Sequence, residues 1–233
     1  MFSVHLTVGL SSKLGQRLGF VQHLAGLALV NAIKSIPGCD QLELKLKWPN
    51  DIYYQSGTKL GGVLVNSVLR GTNVHCFIGC GLNVTNSSPT LCINDIIKLA
   101  TINGTTSNNG VTNTNNTNGS TQGDTSNELN SNAAIPPVSV EQVIALTLNE
   151  LDVLIKAFER RGVEYIKSMY HANWVHSQQL VRIANTKQVI VEGLDDQGYL
   201  SVRDVTSGLL MSVHPDGNRF DMLHNLLVRK TSP

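Results

Sequence analysis

The chain lacks several features that mark common classes of protein. Its 233 residues contain no run of about 18 apolar side chains, which excludes a segment that spans a membrane as a helix. The net charge of +1 provides no basic excess for binding nucleic acid or an anionic membrane. No C-x-x-C spacing occurs, which argues against a zinc site or a disulfide framework and favours buried free thiols in a reducing compartment. The four cysteines are Cys39, Cys76, Cys80 and Cys92.

Charged residues occur within a part of the chain that otherwise has the sequence pattern of core strands. Apolar residues alternate with polar ones over 42–48, which predicts a strand with two distinct faces. Pro49 ends this strand because it cannot donate to a ladder, and Asn50 and Asp51 then begin a turn or a new short strand.

The next predicted strand, over 59–69, begins with Lys59 and carries Gly61 and Gly62. Because glycine has no side chain, a ligand or another backbone can approach this strand closely. An ammonium, an amide and a carboxylate thus converge beside bare backbone, which indicates a site for an anionic ligand.

A third strand, predicted over 74–84, places Gly79 and Gly81 on one face, followed by Asn83 on that face. Taken alone, this glycine pair is better explained by a bulge or by tight sheet packing than by nucleotide binding, because no helix opens directly after it. Combined with Lys59, it favours a ligand held over a sheet.

The remaining pattern predicts an α+β fold. The alternation in the first ten residues predicts a strand, and an apolar stripe predicts a helix over 20–36 that packs on an antiparallel sheet. Residues 103–132 are rich in asparagine and poor in large apolar side chains, which predicts a disordered insertion. Ser139 is predicted to cap the next long helix.

The C-terminal part predicts a second, smaller unit. Short strands separated by turn residues predict a small SH3-like β-barrel, and the domains are therefore expected at 1–172 and 173–233. These strands are predicted at about 179–183, 187–194, 198–203 and 208–213.

The motifs KWPND at 47–51, KLGGVLVN at 59–66 and IGCGLNVTNSSPT at 78–90, followed by CIND at 92–95, resemble the catalytic domain of biotin protein ligases. The likeness is strongest to the eukaryotic holocarboxylase synthetases and covers nearly the whole chain except about 100–135. It implies a biotin/lipoate ligase-like catalytic domain with an SH3-like C-terminal domain.

The resemblance also implies an activity and its reactants. Members of this family form biotinyl-5'-AMP from biotin and ATP, with Mg²⁺, and pass the biotinyl group to one lysine of a carrier domain. The expected partners are the biotin-carrier domains of biotin-dependent carboxylases, with no nucleic acid and no membrane. The expected compartment is the cytoplasm, and a mitochondrial form is left open.

Roles for individual residues follow from the same resemblance. Lys59 is expected to be catalytic, contacting the biotin carboxyl and the α-phosphate, and Asp51 is expected to help hold Mg²⁺. The residues expected to bind substrate or adenylate are Lys47, Trp48, Asn50, Gly61, Gly62, Gly79, Gly81 and Asn83. For Asn50 and Asn83 a purely local hydrogen-bonding role stays open, and for Trp48 a core role.

One departure from the family pattern is the absence of an upstream G-R-G-R-G-G loop and its neighbouring strands. We therefore expect the sequence to be N-terminally incomplete, as a gene-model artefact, a fragment or a shortened isoform. The alternative function is a truncated, catalytically inactive ligase-derived protein that acts through binding or regulation. A lipoate ligase or octanoyltransferase is less favoured, because the pattern of those families lacks K-W-P-N-D.

Overall fold

The secondary structure comes from a computed structural model that describes residues 1–55, 57–88, 90–106, 135–183, 187–215, 218–221 and 226–229. Within these residues the chain forms four helices and eleven strands. In chain order they are β1 (Phe2–Gly9), α1 (Gly19–Lys34), β2 (Leu44–Lys47), β3 (Asp51–Tyr54), β4 (Thr58–Arg70), β5 (Asn73–Leu82), α2 (Ile93–Thr106), α3 (Val140–Arg161), α4 (Val163–Asn173), β6 (Leu180–Ile183), β7 (Lys187–Leu194), β8 (Leu200–Asp204), β9 (Leu210–Val213), β10 (Asn218–Asp221) and β11 (Leu226–Arg229).

The first five strands form one antiparallel sheet in the spatial order β1-β5-β4-β3-β2. The predicted meander is confirmed, because β3, β4 and β5 are neighbours joined by short turns. The predicted N-terminal strand is also confirmed: β1 pairs with β5 from Phe2↔Cys80 to Gly9↔Asn73 and forms one edge of the sheet. The α+β class follows from this sheet together with the four helices.

Helix α1 lies in the centre of the N-terminal part. Twelve of its sixteen residues are buried, and eleven of these are apolar or glycine, as is typical of a helix enclosed by other elements. It packs against the sheet and against α3 and α4. The predicted helix over 20–36 is thus confirmed with slightly shifted ends.

Helix α3 begins where the sequence predicted. The Ser139 hydroxyl oxygen accepts a hydrogen bond from the Gln142 backbone N–H at 3.1 Å, which satisfies one of the free donors of the first turn. The helix ends at Gly162, whose φ of +83° is accessible to glycine at little cost.

The C-terminal strands form a six-stranded mixed sheet in the order β10-β11-β6-β7-β8-β9. All its described pairs are antiparallel except β11 with β6, which is parallel. The four predicted strands are confirmed, whereas β10 and β11 were not predicted. Among the described residues the sheet is open, because no pairing joins β9 to β10, and the predicted closed SH3-like barrel is not confirmed.

The predicted disordered insertion overlaps α2. Residues 103–106 form the last turn of this helix, which the low apolar content of the segment did not suggest. The rest of the segment, 107–132, lies outside the described residues.

Two further results concern the cysteines and the possibility of a membrane-spanning helix. All four cysteines are free and buried, as predicted. In the described part of the chain, no helix combines the length and the hydropathy that crossing a membrane would need.

Candidate active site

A cavity of about 420 Å³ opens over one face of the five-stranded sheet, where β1, β4 and β5 meet the turn between β2 and β3. This volume lies in the range of pockets that hold small-molecule ligands. The cavity is lined by Met1, Phe2, Ser3, Asn50, Asp51, Lys59, Gly62, Val63, Leu64, Gly79, Cys80 and Gly81.

Glycines form the floor of the cavity. Gly62 on β4 lies directly opposite Gly81 on β5, and Gly79 lies opposite Leu64. A Cβ atom added to Gly79 would meet only the Leu64 carbonyl oxygen, at 3.8 Å, so the space above this backbone is open. A Cβ atom added to Gly62 would lie 3.1 Å from Asp51 Oδ1. The absent side chains therefore leave room for a ligand and let the Asp51 carboxylate approach the sheet.

Gly61 has a different role from the floor glycines, because it does not line the cavity. A Cβ atom on Gly61 would lie 2.1 Å from the Gly81 carbonyl oxygen, so the close approach of β4 to β5 requires glycine there. The register between β3 and β4 also shifts here: Ile52 pairs with Gly61 and Tyr53 pairs with Lys59. Such a β-bulge re-aims the side chains beside it, and Lys59 is one of them.

Three charged side chains meet beside the floor. Lys59 Nζ lies 2.6 Å from Asp51 Oδ1, and Lys47 Nζ lies 3.8 Å from Asp51 Oδ2. Lys47 Nζ also lies 5.2 Å from the centroid of the Tyr53 ring. Burial, and then the Asp51 charge, raise the pKa of the Tyr53 hydroxyl. Two ammonium groups share one carboxylate, so this cluster has a net positive charge that suits an anionic ligand.

The three charged side chains differ in exposure. The Lys59 side chain is 52% exposed, whereas those of Lys47 and Asp51 are 12% and 17% exposed. Lys59 is therefore the cation that can turn toward a ligand in the cavity without leaving a buried position.

Asn50 lines the cavity but uses its amide to hold the sheet. Its Nδ2 donates to the Val63 carbonyl oxygen at 2.9 Å, and the Asn50 backbone carbonyl oxygen accepts from the Val63 N–H at 2.8 Å. No bond to its Oδ1 atom is formed by the described residues, so this oxygen can accept one from a ligand.

Asn83 is engaged in the loop that follows β5. Its Nδ2 donates to Thr90 Oγ1 at 3.0 Å, and its Oδ1 accepts from Asn86 at 3.0 Å. Thr90 Oγ1 in turn donates to the Lys59 carbonyl oxygen at 3.4 Å. Asn83 thus supports the start of β4 from behind and does not line the cavity.

Trp48 is fully buried in the hydrophobic core and therefore has the core role that the sequence left open.

Of the ten residues proposed from the sequence, six line the cavity and four do not. The six are Asn50, Asp51, Lys59, Gly62, Gly79 and Gly81; the four are Lys47, Trp48, Gly61 and Asn83.

Sequence reasoning missed the residues that β1 and β5 add to the cavity. Ser3 faces it because it pairs with Gly79, and this pairing of distant strands leaves no local signal in the sequence. Cys80 also lines the cavity, and burial raises the pKa of its thiol to about 11, which keeps the sulfur protonated at neutral pH.

Comparisons with known proteins agree on one family. Residues 1–83 match the model of the Biotin/lipoate A/B protein ligase family. The chain is 40% identical over 227 residues to the biotin-protein ligase of Homo sapiens, which covers 97% of this chain and 27% of the human protein. It is 28% identical over 232 residues to the biotin-protein ligase of Schizosaccharomyces pombe, which covers 92% of this chain and 33% of that protein. The chain thus spans about a third or less of these two curated relatives.

Solved structures share the fold. The apo structure of the biotin protein ligase from Aquifex aeolicus superposes with a TM-score of 0.55 at 16% identity, covering 91% of this chain and 83% of that chain. The same protein in complex with biotin and ATP gives a TM-score of 0.52, also at 16% identity, covering 91% and 79%.

Proposed function

We propose that this chain is an ATP-dependent biotin-protein ligase, because residues 1–83 match the model of the Biotin/lipoate A/B protein ligase family and the chain is 40% identical to a biotin-protein ligase. In the first step, an oxygen of the biotin carboxylate attacks the α-phosphorus of ATP, and the bond to the β-phosphate breaks to release pyrophosphate. In the second, the ε-amine of a carrier lysine attacks the acyl carbon of biotinyl-5'-AMP. An amide forms, AMP leaves, and the amine loses a proton.

The observation that carries this proposal is the Lys59–Asp51 ion pair above a glycine floor, in a cavity of about 420 Å³. The chain that holds this arrangement is 40% identical to a biotin-protein ligase. Both steps need a preorganised cation beside an oxygen that carries or develops negative charge. Lys59 meets this need, since it is half exposed and lies at the cavity wall.

Lys59 would act in both steps. Before ATP binds, Asp51 holds the Lys59 ammonium beside the floor of the cavity, with Lys59 Nζ 2.6 Å from Asp51 Oδ1. When the biotin carboxylate and the α-phosphate arrive, the ammonium can bridge them and reduce the repulsion between the two anions. The bare backbone at Gly79 and Gly81 would let the ligand lie close to the sheet, where water is excluded from the acyl phosphate.

Mg²⁺ fits this site only together with ATP. Asp51 is the one carboxylate among the described residues that line the cavity, and Mg²⁺ commonly binds through one or two carboxylates plus phosphate oxygens. Asp51 would hold the ion beside the phosphates, where it would neutralise part of their charge.

The proposal extends to the domain organisation and to the partner. We assign residues 1–172 to the catalytic domain and residues 173–233 to a C-terminal unit whose six-stranded sheet corresponds to the SH3-like domain of the family. The protein substrate would be the biotin-carrier domain of a carboxylase, and the compartment the cytoplasm. The remaining predicted contacts, from Lys47, Trp48, Gly61 and Asn83, would support the site from behind its lining.

The experiment that tests the function is incubation of the purified protein with ATP, Mg²⁺, labelled biotin and an apo-carrier domain. Carrier labelling reports the overall reaction, and pyrophosphate release reports the first step. Lys59→Ala should lower pyrophosphate release by about 10²–10³-fold, the usual effect of removing one preorganised charge-stabilising group. Lipoate and octanoate in place of biotin test the acyl specificity.

Lys156→Ala is the matched control. Lys156 also forms a 2.6 Å ion pair with an aspartate, Asp152, but on the exposed surface of α3 and away from the cavity. Its loss should leave both readouts unchanged. An unmutated protein that releases no pyrophosphate would contradict the proposed function, and a Lys59→Ala variant within threefold of the unmutated rate would contradict the role of Lys59.

A further inference from the structure

The outer edge of the five-stranded sheet is covered by the segment that connects α4 to β6. Strand β2 is the last strand of the sheet, and Trp174 pairs with Leu46 beside it in a parallel bridge. The Val175 N–H donates to the Leu46 carbonyl oxygen at 3.0 Å. One residue after Val175, Nε2 of His176 accepts a hydrogen bond from the Trp48 N–H at 3.1 Å.

The hydrogen bonds of His176 determine its tautomer. A backbone N–H can only donate, so Nε2 must accept from Trp48 and carries no hydrogen. The hydrogen therefore sits on Nδ1, which donates to Gln179 Oε1 at 3.2 Å. The imidazole is fully buried, and burial lowers its pKa to about 4, so this neutral form persists at neutral pH.

Trp48 begins the turn that carries Asn50 and Asp51 into the cavity. Three different elements hold this turn: His176 binds its first N–H, Gln22 of α1 donates to the Pro49 carbonyl oxygen at 3.1 Å, and Val63 of β4 binds Asn50 on both sides. Because Trp48 is fully buried, loss of the His176 acceptor would leave its N–H without a partner, and the turn would have to move.

We propose that His176 is a positioning residue of the active site, which fixes the Trp48 amide and thereby sets the place of the Asp51 carboxylate and of its partner Lys59. This inference rests on the proposed function for its effect on rate. A displacement of about 1 Å at a reacting group can lower a rate by roughly 10²-fold, so a residue far from the ligand can have a large effect.

The segment that carries His176 also connects the site to the C-terminal sheet. Gln179, which binds His176, accepts a hydrogen bond from the Val191 N–H of β7 through its backbone carbonyl at 2.9 Å. The Leu194 N–H of the same strand donates to His171 of α4 at 3.1 Å. The C-terminal sheet thus fixes the segment between α4 and β6, and His176 of that segment fixes the turn that begins at Trp48.

Two substitutions that differ by one methylene test the proposal. His176→Asn retains a donor near the position of Nδ1 for Gln179 but cannot reach the Trp48 N–H. His176→Gln places its oxygen near the position of Nε2 and can accept that bond. His23→Asn is the matched control, because His23 is also buried with a pKa lowered to about 4 and bonds the Gly198 carbonyl oxygen at 2.7 Å, away from the turn.

Two quantities are measured for each variant: the rate of biotin-dependent pyrophosphate exchange and the melting temperature. His176→Asn should lower kcat by about 10–100-fold with little change in the KM for biotin, and His176→Gln should recover most of this loss. His23→Asn should lower the melting temperature while leaving kcat within twofold of the unmutated value. A His176→Asn variant that melts earlier but keeps its kcat would overturn the inference.

An NMR readout separates this inference from the proposed function. The Trp48 amide should lose protection from hydrogen exchange in His176→Asn, and the amide signals of Asp51 and Lys59 should shift, whereas His23→Asn should leave these signals unchanged. Unshifted signals would overturn the inference even if the protein is an active ligase. If the unmutated protein shows no exchange activity, the proposed function fails and the NMR result alone decides the positioning.

Discussion

Replacing Gly61 by alanine is expected to destabilise the fold, whereas the same replacement at Gly79 is expected to preserve stability and weaken ligand binding. A Cβ atom on Gly61 would lie 2.1 Å from the Gly81 carbonyl oxygen and 2.9 Å from the Leu82 Cα atom. Both obstacles are backbone, so β4 and β5 would have to separate by about 1.4 Å for the closer contact to reach an ordinary distance near 3.5 Å.

The magnitude follows from two opposing contributions. Overpacking of this kind costs about 1–3 kcal/mol, and the lower chain entropy of alanine returns roughly 0.5–1 kcal/mol. Since the added Cβ atom at Gly61 would clash with backbone, which cannot rotate away as a side chain can, we expect a net loss of about 2 kcal/mol. In a protein of this size, 1 kcal/mol shifts Tm by roughly 2–4 °C, so Gly61→Ala should melt about 4–8 °C lower.

For Gly79→Ala, the gain from lower chain entropy is expected to exceed the cost of overpacking. Its Cβ atom would meet only the Leu64 carbonyl oxygen at 3.8 Å, so the entropic gain is not offset and Tm should stay the same or rise slightly. The added methyl group would occupy the cavity floor, and we expect affinity for biotin plus ATP to fall by about 10-fold, or about 1.4 kcal/mol.

Circular dichroism melts and isothermal titration calorimetry on both variants measure these effects. Gly61→Ala melting within 1 °C of the unmutated protein would refute the clash. Equal stability losses at the two positions would refute the distinction between a packing glycine and a floor glycine.

Two further predictions concern stability alone. Ser139→Ala should cost about 1 kcal/mol in urea unfolding by removing the cap of α3, whereas Ser139→Asp should retain an acceptor and most of the stability; equal losses would count against the cap. Burial lowers the pKa of His23 from 6.5 to about 4, so the unfolded chain takes up a proton below pH 6.5 that the folded chain takes up only near pH 4. The free energy of unfolding should therefore fall as the pH drops from 6.5 to 4, and His23→Asn should show a shallower slope over that window; an unchanged slope would contradict this account.

The β-meander was predictable because it is encoded locally. Apolar and polar residues alternate over 42–48, buried residues recur at every second position from Val74 to Cys80 in β5, and the short turn at Gly71 leaves room only for an antiparallel return from β4. The C-terminal sheet was predicted less completely. Its parallel pair, β11 with β6, joins segments more than 40 residues apart, and no local pattern announces such a pairing.

The candidate site shows the same division. Lys59, Asp51 and the glycines of β4 and β5 stand out in the sequence, because charge and missing side chains are unusual in core strands. Whether each of them lines the cavity depends on register. Gly61 and Gly62 are adjacent in sequence, yet one packs against the β5 backbone and the other faces the cavity.

The amino-acid sequence by itself determined the α+β class, the antiparallel meander, the cap of α3 and most of the residues from which the site is built. These are consequences of periodicity, of side-chain chemistry and of turn geometry, which act over a few residues. Only the tertiary structure decided that Asp51 pairs with Lys59, that Asn83 supports the strand from behind, and that His176, 128 residues after Trp48, holds its amide. Those contacts depend on how distant segments pack, and packing is a property of the whole chain.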